Sequence, residues 1–104
     1  MSEYTVLIST AANKNDAKEI AKELLGQELI ACAQVFKIDS LYTWKGEMAE
    51  EEEFLILLKT KKSHYEAIEE TIKKVHKYET PELIELDITS GLPAYLAWMD
   101  EVTR

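Results

Sequence analysis

Apolar and polar residues follow one another along the chain in patterns that predict alternating strands and helices. A short β-branched run, Tyr4–Ser9, is typical of a first strand. An amphipathic helix follows, since apolar residues recur there at intervals of three and four positions: Ala17, Ile20, Ala21, Leu24 and Leu25. Asn13 or Asn15 can cap the start of this helix, and Gly26 stands where it should end.

The longest pattern is a hairpin from about Ile30 to Thr60, which contains one glycine, Gly46, and no proline. Its first arm, Ile30–Trp44, has 15 residues and would span about 50 Å at roughly 3.3 Å per residue. A domain of about 100 residues has a radius of gyration near 13 Å, so the hairpin should bend sharply or overhang its own domain. Overhanging strand edges are normally covered by a partner, which predicts an oligomer.

The second arm of the hairpin and the rest of the chain complete a β-α-β-β-α-β order. Phe54–Leu58 is continuously apolar, as expected of a central strand covered on both faces. Ser63 and Glu66 have the spacing of a capping box. They begin a second amphipathic helix that ends near His76 and is broken by Pro81, with an apolar face formed by Tyr65, Ile68, Ile72 and Val75.

A last strand and a third helix follow. In the strand, apolar Ile84, Leu86 and Ile88 alternate with acidic residues, which predicts that one face is exposed to solvent. Pro93 suits the first turn of a helix that runs to about Val102. The prediction is therefore an α+β, ferredoxin-like βαββαβ sandwich in a single domain, 1–104, with two helices on one face of a four-stranded antiparallel sheet. The extra C-terminal helix could cover a sheet edge or a neighbouring subunit.

Charge and cysteine content exclude several classes of function. The net charge is −8 and the sole arginine is Arg104, which disfavours binding to nucleic acid because that requires a basic face. Cys32 is the only cysteine, so neither an intrachain disulfide nor a CxxC metal clamp can form. No signal-peptide pattern and no apolar run near the roughly 18–20 residues of a membrane span are present. We therefore expect a soluble, cytoplasmic protein without membrane contact.

The densest group of polar chemistry is His76–Glu82, which contains an imidazole, a phenol and two carboxylates. It can be an ordinary helix end followed by a proline-fixed turn. It can also be one wall of a site, in which His76 supplies a nitrogen ligand or a proton acceptor, and Glu79 or Glu82 an oxygen ligand. Cys32 is either a small buried residue or a soft ligand that meets a partner across a subunit boundary. His64 is expected to be solvated.

Further candidates lie on the hairpin. Tyr42 and Trp44 share one face at its tip, where exposed aromatic side chains favour docking on another subunit. In the acidic run that follows, Glu51 and Glu53 fall on the face opposite to Glu50 and Glu52. Lys59, at the end of the apolar arm, either extends to solvent or holds an anion or one of these carboxylates.

Five motifs resemble the CutA divalent-cation-tolerance family along nearly the whole chain: Leu29–Ala33, Ser40–Gly46, Glu53–Thr60, His76–Glu82, and Gly91 through Tyr95 to Trp98. The resemblance implies a ferredoxin-like subunit in a cytoplasmic homotrimer, similar in outline to PII signalling proteins. It also implies an association with tolerance to copper and other divalent cations. It implies no catalysed reaction. Two departures are Lys77, where the family usually has proline, and the absence of further cysteines.

Two hypotheses about function follow. In the first, a trimer binds copper or another divalent metal ion in an intersubunit cleft. The expected ion is Cu²⁺ or Zn²⁺, bound weakly, and no tightly bound cofactor is expected. Its candidate metal ligands are Cys32, His76, Glu79 and Glu82. In the second, a PII-like signalling or scaffold module binds a small molecule or an unidentified protein partner. Its candidate cleft residues are Tyr42, Trp44, Glu53, Lys59, Tyr78 and Tyr95. An enzyme is disfavoured because the sequence offers His76 as a base without a nucleophile or an orienting partner.

Overall fold

A computed structural model of the chain describes residues 3–104. Its elements, in chain order, are β1 (Tyr4–Ala11), α1 (Lys14–Gly26), β2 (Cys32–Trp44), β3 (Glu47–Lys61), a single 3₁₀ turn (Lys62–His64), α2 (Tyr65–Val75), β4 (Ile84–Asp87) and α3 (Pro93–Val102). The predicted ferredoxin-like α+β fold is confirmed. No helix in this part of the chain is long and apolar enough to cross a membrane.

The four strands form one antiparallel sheet in the order β2-β3-β1-β4. Strand β3 lies inside the sheet, where its Leu58 pairs with Leu7 of β1 on one side and Ala33 of β2 on the other. Side chains alternate between the two faces of a strand, so one face of the sheet carries a continuous apolar layer. Helices α1 and α2 pack against that layer, and we call it the helix-covered face.

The core between this face and the two helices consists of fully buried aliphatic side chains. It includes Leu7, Ile20, Leu24, Leu29, Ile30, Ile56, Leu58, Ile68 and Ile72. Asn13 caps α1 by accepting a hydrogen bond from the Asp16 backbone N–H at 2.8 Å, as one of the two predicted caps. Helix α1 ends at Gly26 as predicted, and the backbone then turns through Glu28, which has φ 58°.

Helix α3 lies on the opposite face of the sheet. The side chains of Tyr4, Lys59 and Lys61 project from that face because each neighbours a core-facing residue in its strand. The Tyr4 hydroxyl donates to the Asp100 carboxylate of α3 at 2.6 Å, and the Lys59 ammonium lies 5.7 Å from the centre of the Tyr95 ring. Met99 of this helix is fully buried. The extra helix thus covers the end of the sheet where β1 begins.

The long hairpin overhangs its own sheet, as its length predicted. Strand β1 pairs with β3 only from Phe54 to Lys61, so the pairs from Ile38↔Glu53 to Trp44↔Glu47 have no third strand beside them. The molecule is accordingly elongated, with extents of 45 × 26 × 22 Å. Large apolar side chains on this two-stranded part stay exposed, among them Leu41, Trp44 and Met48.

Three local predictions are wrong. The capping box does not form: a 3₁₀ turn precedes α2, and His64 stands at the cap position without a side-chain hydrogen bond to the helix. His64 is half-buried rather than solvated: its Nε2 is enclosed without a hydrogen-bond partner among residues 3–104, and burial lowers the pKa of His64. Helix α2, by contrast, ends at Val75, close to His76 as predicted, and the His76 backbone is extended.

The third concerns β4, which was expected to have one solvent-exposed face and is exposed along its whole length. It is an edge strand whose apolar residues, Ile84 and Leu86, pair with Ile8 and Val6 and therefore project from the face opposite to the helices. Both remain half exposed there. The strand thus alternates as predicted, but its apolar side does not face the core of this chain.

The turn of the hairpin is occupied by Lys45 and Gly46, which both have positive φ, 51° and 80°. Two-residue hairpin turns of this kind favour Asn-Gly, and a lysine in the left-handed region is strained by about 1 kcal/mol. We therefore expect Lys45→Asn to raise the free energy of unfolding by about 0.5–1 kcal/mol. Guanidinium chloride denaturation measures it. Lys45→Gln, which removes the same charge but gains no left-handed preference, should not stabilise; equal stabilisation by both variants would contradict the role of turn strain.

Candidate functional site

A cleft of about 610 Å³ lies between the overhanging part of the hairpin and the loop that follows α2. We call it the hairpin–loop cleft. Its walls come from the face of the sheet opposite to the helices and from loop residues 77–82: Thr10, Ala12, Tyr42, Trp44, Ala49, Glu51, Glu53, Lys77, Tyr78, Glu79, Thr80 and Glu82. Because β1 stops at Ala11, the loop after α2 can occupy the space beside the unsupported hairpin.

Six of the ten predicted site residues line this cleft together. They are Tyr42, Trp44, Glu53, Tyr78, Glu79 and Glu82. The aromatic residues of the hairpin, predicted to share a face, do line the same cavity, and so do Glu51 and Glu53 of the acidic run. Two distant parts of the sequence, residues 42–53 and 77–82, are thus brought to one place.

A hydrogen bond joins the two walls of the cleft. Glu53 is a nearly buried carboxylate, with 7% of its surface exposed, and accepts a hydrogen bond from the Tyr78 hydroxyl at 2.6 Å. Burial, together with this bond and the Glu53 charge, raises the pKa of Tyr78. The Tyr78 hydroxyl therefore keeps its proton at neutral pH. Its hydrogen bond to Glu53 holds the loop against the hairpin.

His76 anchors the base of the loop through both of its ring nitrogens. Its Nδ1 accepts a hydrogen bond from the Tyr78 backbone N–H at 3.0 Å, and its Nε2 lies 2.7 Å from the Thr10 carbonyl oxygen. Since a carbonyl can only accept, Nε2 must carry the proton. The ring also packs against Tyr78, with 4.8 Å between centroids. In this conformation neither nitrogen is free to bind a metal ion, so His76 positions the site residue Tyr78.

The carboxylates of the cleft lack positive partners. Among the described residues, none of Glu51, Glu53, Glu79 and Glu82 forms an ion pair; Glu51 accepts only the Tyr42 hydroxyl. Burial, and then the charge of Glu53, raises the pKa of Glu82. The cleft therefore concentrates negative charge that the chain itself does not compensate.

Lys77 does not neutralise this charge, although it lies at the rim of the cleft. Its ammonium pairs with the Asp16 carboxylate of α1 at 3.2 Å. Asp16 is the better shielded partner of this pair, with 14% of its side chain exposed against 68% for Lys77. The lysine that replaces the expected proline is thus directed toward α1 and ties the loop to that helix.

The other predicted site residues lie elsewhere. Cys32 pairs with Lys59 across β2 and β3, and Lys59 extends toward Tyr95 of α3. Within one chain, Cys32 and Lys59 lie apart from the His76 segment. Lys59 pairs with Val6, whereas His76 contacts Thr10, four positions further along β1 and hence about 13 Å away.

The four predicted metal ligands do not meet within one chain. Over residues 3–104 no three side chains among His, Cys, Asp and Glu come together in a way that could hold a metal ion. A site that combines Cys32 with the His76–Glu82 segment remains a prediction that requires a second copy of the chain. Glu51 was not among the predicted site residues, although its two-residue spacing from Glu53 was the signal that could have identified it.

Removing the uncompensated Glu82 carboxylate should stabilise the fold at neutral pH. Because the folded-state pKa is raised, the favourable contribution of this group is present below its unfolded pKa near about 4.3. It is lost as the pH rises through the folded value. We expect Glu82→Gln to melt at a higher temperature than the parent at pH 7, with the difference vanishing below about pH 4.

Thermal denaturation across this pH range measures the effect. Glu70→Gln, which removes an exposed carboxylate of α2, serves as the control and should change the melting temperature little. A Glu82→Gln variant that is less stable than the parent at pH 7 would show that the carboxylate is compensated after all.

Comparison with known proteins identifies the family. The family model described as CutA1 divalent ion tolerance protein matches residues 5–102. The divalent-cation tolerance protein CutA of Citrobacter koseri is 38% identical over 103 residues, covering 98% of this chain and 90% of its own. The CutA homolog of Xenopus laevis is 40% identical over 94 residues, which cover 89% of this chain. The chain spans 62% of the length of that Xenopus protein and 54% of the mouse protein CutA.

Solved structures agree with the sequence comparison. The periplasmic divalent cation tolerance protein CutA of Archaeoglobus fulgidus superposes with a TM-score of 0.95 at 32% identity, over 97% of this chain and 99% of that one. CutA1 of Oryza sativa gives a TM-score of 0.94 at 34% identity, over 97% and 94% of the two chains. The sequence, the fold and the arrangement of motifs therefore lead to one conclusion: the chain belongs to the CutA1 divalent ion tolerance family.

Proposed function

We propose that this chain forms a trimer that contributes to divalent-cation tolerance by binding copper or other divalent metal ions in an intersubunit cleft. The observation that carries the proposal is the set of uncompensated carboxylates in the hairpin–loop cleft, in a chain whose relatives are named for divalent-cation tolerance. Four carboxylates without a lysine or arginine partner repel one another, and a divalent cation relieves that repulsion.

The ligands available within one chain favour weak, unselective binding. Glu53, Glu79 and Glu82 offer oxygen atoms, which suit many divalent ions. The nitrogens of His76 are engaged by the backbone, so nitrogen ligation would require the loop to rearrange. A thiol could enter only as Cys32 of a second copy of the chain, and this would shift the preference toward copper or zinc. No tightly bound ion is proposed.

The trimer is supported by surfaces that one chain leaves uncovered. The overhanging hairpin has no third strand, and a two-stranded ribbon is marginally stable by itself. Apolar side chains of β2 and of the edge strand β4 are also exposed on the face of the sheet opposite to the helices: Phe36, Ile84 and Leu86. Association about a threefold axis would cover these surfaces in three equivalent places and create three equivalent clefts.

A PII-like signalling or scaffold role is the second candidate. It is favoured by the aromatic side chains of Tyr42, Trp44 and Tyr78 in the cleft, because a bare ion gains little from them, whereas a small molecule or a partner's loop can pack against them. In this role the ion would act indirectly, and a small organic ligand or a protein would be the direct partner.

We further propose that the protein is not an enzyme and that it acts in the cytoplasm. The names of its relatives describe tolerance to ions and mention no reaction. The name of the Archaeoglobus relative places that protein in the periplasm, so fractionation of cells that produce this chain, followed by immunodetection, tests the location directly.

Metal titration tests the carboxylate site. Calorimetry with copper(II), zinc and magnesium should give weak binding to the parent protein. Glu53→Gln and Glu82→Gln should each weaken it roughly tenfold, since each removes a charged ligand worth about 1.4 kcal/mol. Glu52→Gln is the matched control, because Glu52 projects from the other face of the same strand and pairs with Lys37.

Cys32→Ser separates the two possible ligand sets. Unchanged copper affinity means that carboxylates bind the ion, whereas a selective loss for copper and zinc means that the thiol of a second copy takes part. Equal binding by the parent and by both cleft variants would contradict the assignment of the site.

Shortening the hairpin tests the trimer. Deleting Leu41–Trp44 and Glu47–Glu50 joins Ser40 and Glu51 to the existing Lys45-Gly46 turn without shifting the strand register. Light scattering during size exclusion should give three times the 11.9 kDa chain mass for the parent and monomers or aggregates for the shortened chain. A shortened chain that remained a well-defined trimer would show that the overhang is not the assembly element.

A further inference from the structure

The hairpin–loop cleft is much larger and more aromatic than a metal site requires. Its volume of about 610 Å³ falls in the range of pockets that hold small organic molecules, whereas a divalent ion needs only ligands at about 2–2.6 Å. Tyr42, Trp44 and Tyr78 contribute aromatic walls. The carboxylates explain attraction to cations, but metal binding leaves most of this space and these three rings without a role.

Aromatic faces and carboxylates together recognise organic cations. An ammonium or guanidinium group within about 6 Å of a ring centre is attracted by the negative face of the ring, and tryptophan is the strongest such partner. The Trp44 ring already has a cation at this distance, because the Lys45 ammonium lies 5.8 Å from its centroid. In the single chain, Trp44 is 55% exposed.

Lys59 lies outside the cleft, so the charge that a ligand must carry depends on the charged groups that do line it. Lys59 extends toward Tyr95 of α3, and Lys77 at the rim is paired with Asp16. The remaining charged groups that line the cleft are Glu51, Glu53, Glu79 and Glu82. An anionic ligand would meet four carboxylates, while a ligand with more than one positive charge would neutralise them.

We propose that the hairpin–loop cleft binds a small organic polycation, an aliphatic diamine or polyamine, with its ammonium groups on the cleft carboxylates and its methylene chain against Trp44, Tyr42 and Tyr78. Packing the methylene groups on aromatic rings removes apolar surface from water, which is favourable. A hydrated metal ion has no apolar surface to bury in this way. This proposal deepens the small-molecule alternative of the proposed function and uses the same carboxylates as the proposed metal site. The amine and the metal ion therefore compete.

The test is calorimetric titration of the full chain with 1,4-diaminobutane and spermidine, beside zinc on the same preparations. We expect saturable amine binding that zinc displaces, and no binding of the neutral 1,4-butanediol. Trp44→Leu keeps the charge of the cleft but removes the ring, and should weaken amine binding roughly tenfold while changing zinc affinity less than twofold. Trp98→Leu, an equivalent change on α3 outside the cleft, should leave both affinities unchanged.

A carboxylate variant distinguishes this proposal from the metal site. Glu53→Gln should weaken both ligands, because both use its charge. Zinc binding without amine binding would overturn the polycation proposal and leave the metal site intact. Amine binding that is unaffected by Trp44→Leu would also overturn it, since attraction to the net negative charge would then suffice. Amine binding without zinc binding would support the polycation proposal and refute the metal site.

Discussion

The pairing of β3 with two strands of unequal length is the constraint on which the rest of this structure depends. Strand β3 runs for 15 residues, but β1 pairs with only the eight that include Leu58. That half contributes to a core of fully buried aliphatic side chains, and the other half has only β2 beside it. One strand thus belongs to two environments, a rigid sheet interior and an unsupported ribbon.

The cleft is a direct consequence of this inequality. Where β1 ends at Ala11, the loop after α2 takes its place beside the ribbon, and the bond from Tyr78 to Glu53 joins loop to strand. His76 gives the loop its fixed starting point by satisfying one backbone group on β1 and one on the loop itself. The geometry of the site is therefore set by hydrogen bonds to the sheet, while its charge comes from carboxylates that form no ion pair within the described residues.

Many features of the fold could be predicted because they follow from local periodicity. The i, i+3, i+4 spacing identified the buried face of α1, and Gly46 without any proline nearby identified the turn between β2 and β3. The acidic and aromatic cleft residues of the hairpin were also predictable as one face, because side chains in a strand alternate strictly. Predictions failed where a distant contact decided the outcome. The Nε2 atom of the half-buried His64 is enclosed without a hydrogen-bond partner among the described residues, which no pattern around Ser63–Glu66 reveals.

The sequence by itself determined the order of elements, the family and the residue types of the site, since these depend on spacing and composition. Only the tertiary structure decided which candidates meet. The strand register separates Lys59 from the His76 segment by several residue pairs and places Cys32 beside Lys59, while the loop after α2 brings Tyr78 and Glu82 to Glu53. It also showed that both ring nitrogens of His76 hold the loop to β1 in this conformation. The physical reason is that register and loop path are set by long-range backbone pairing, which periodicity along the chain does not encode.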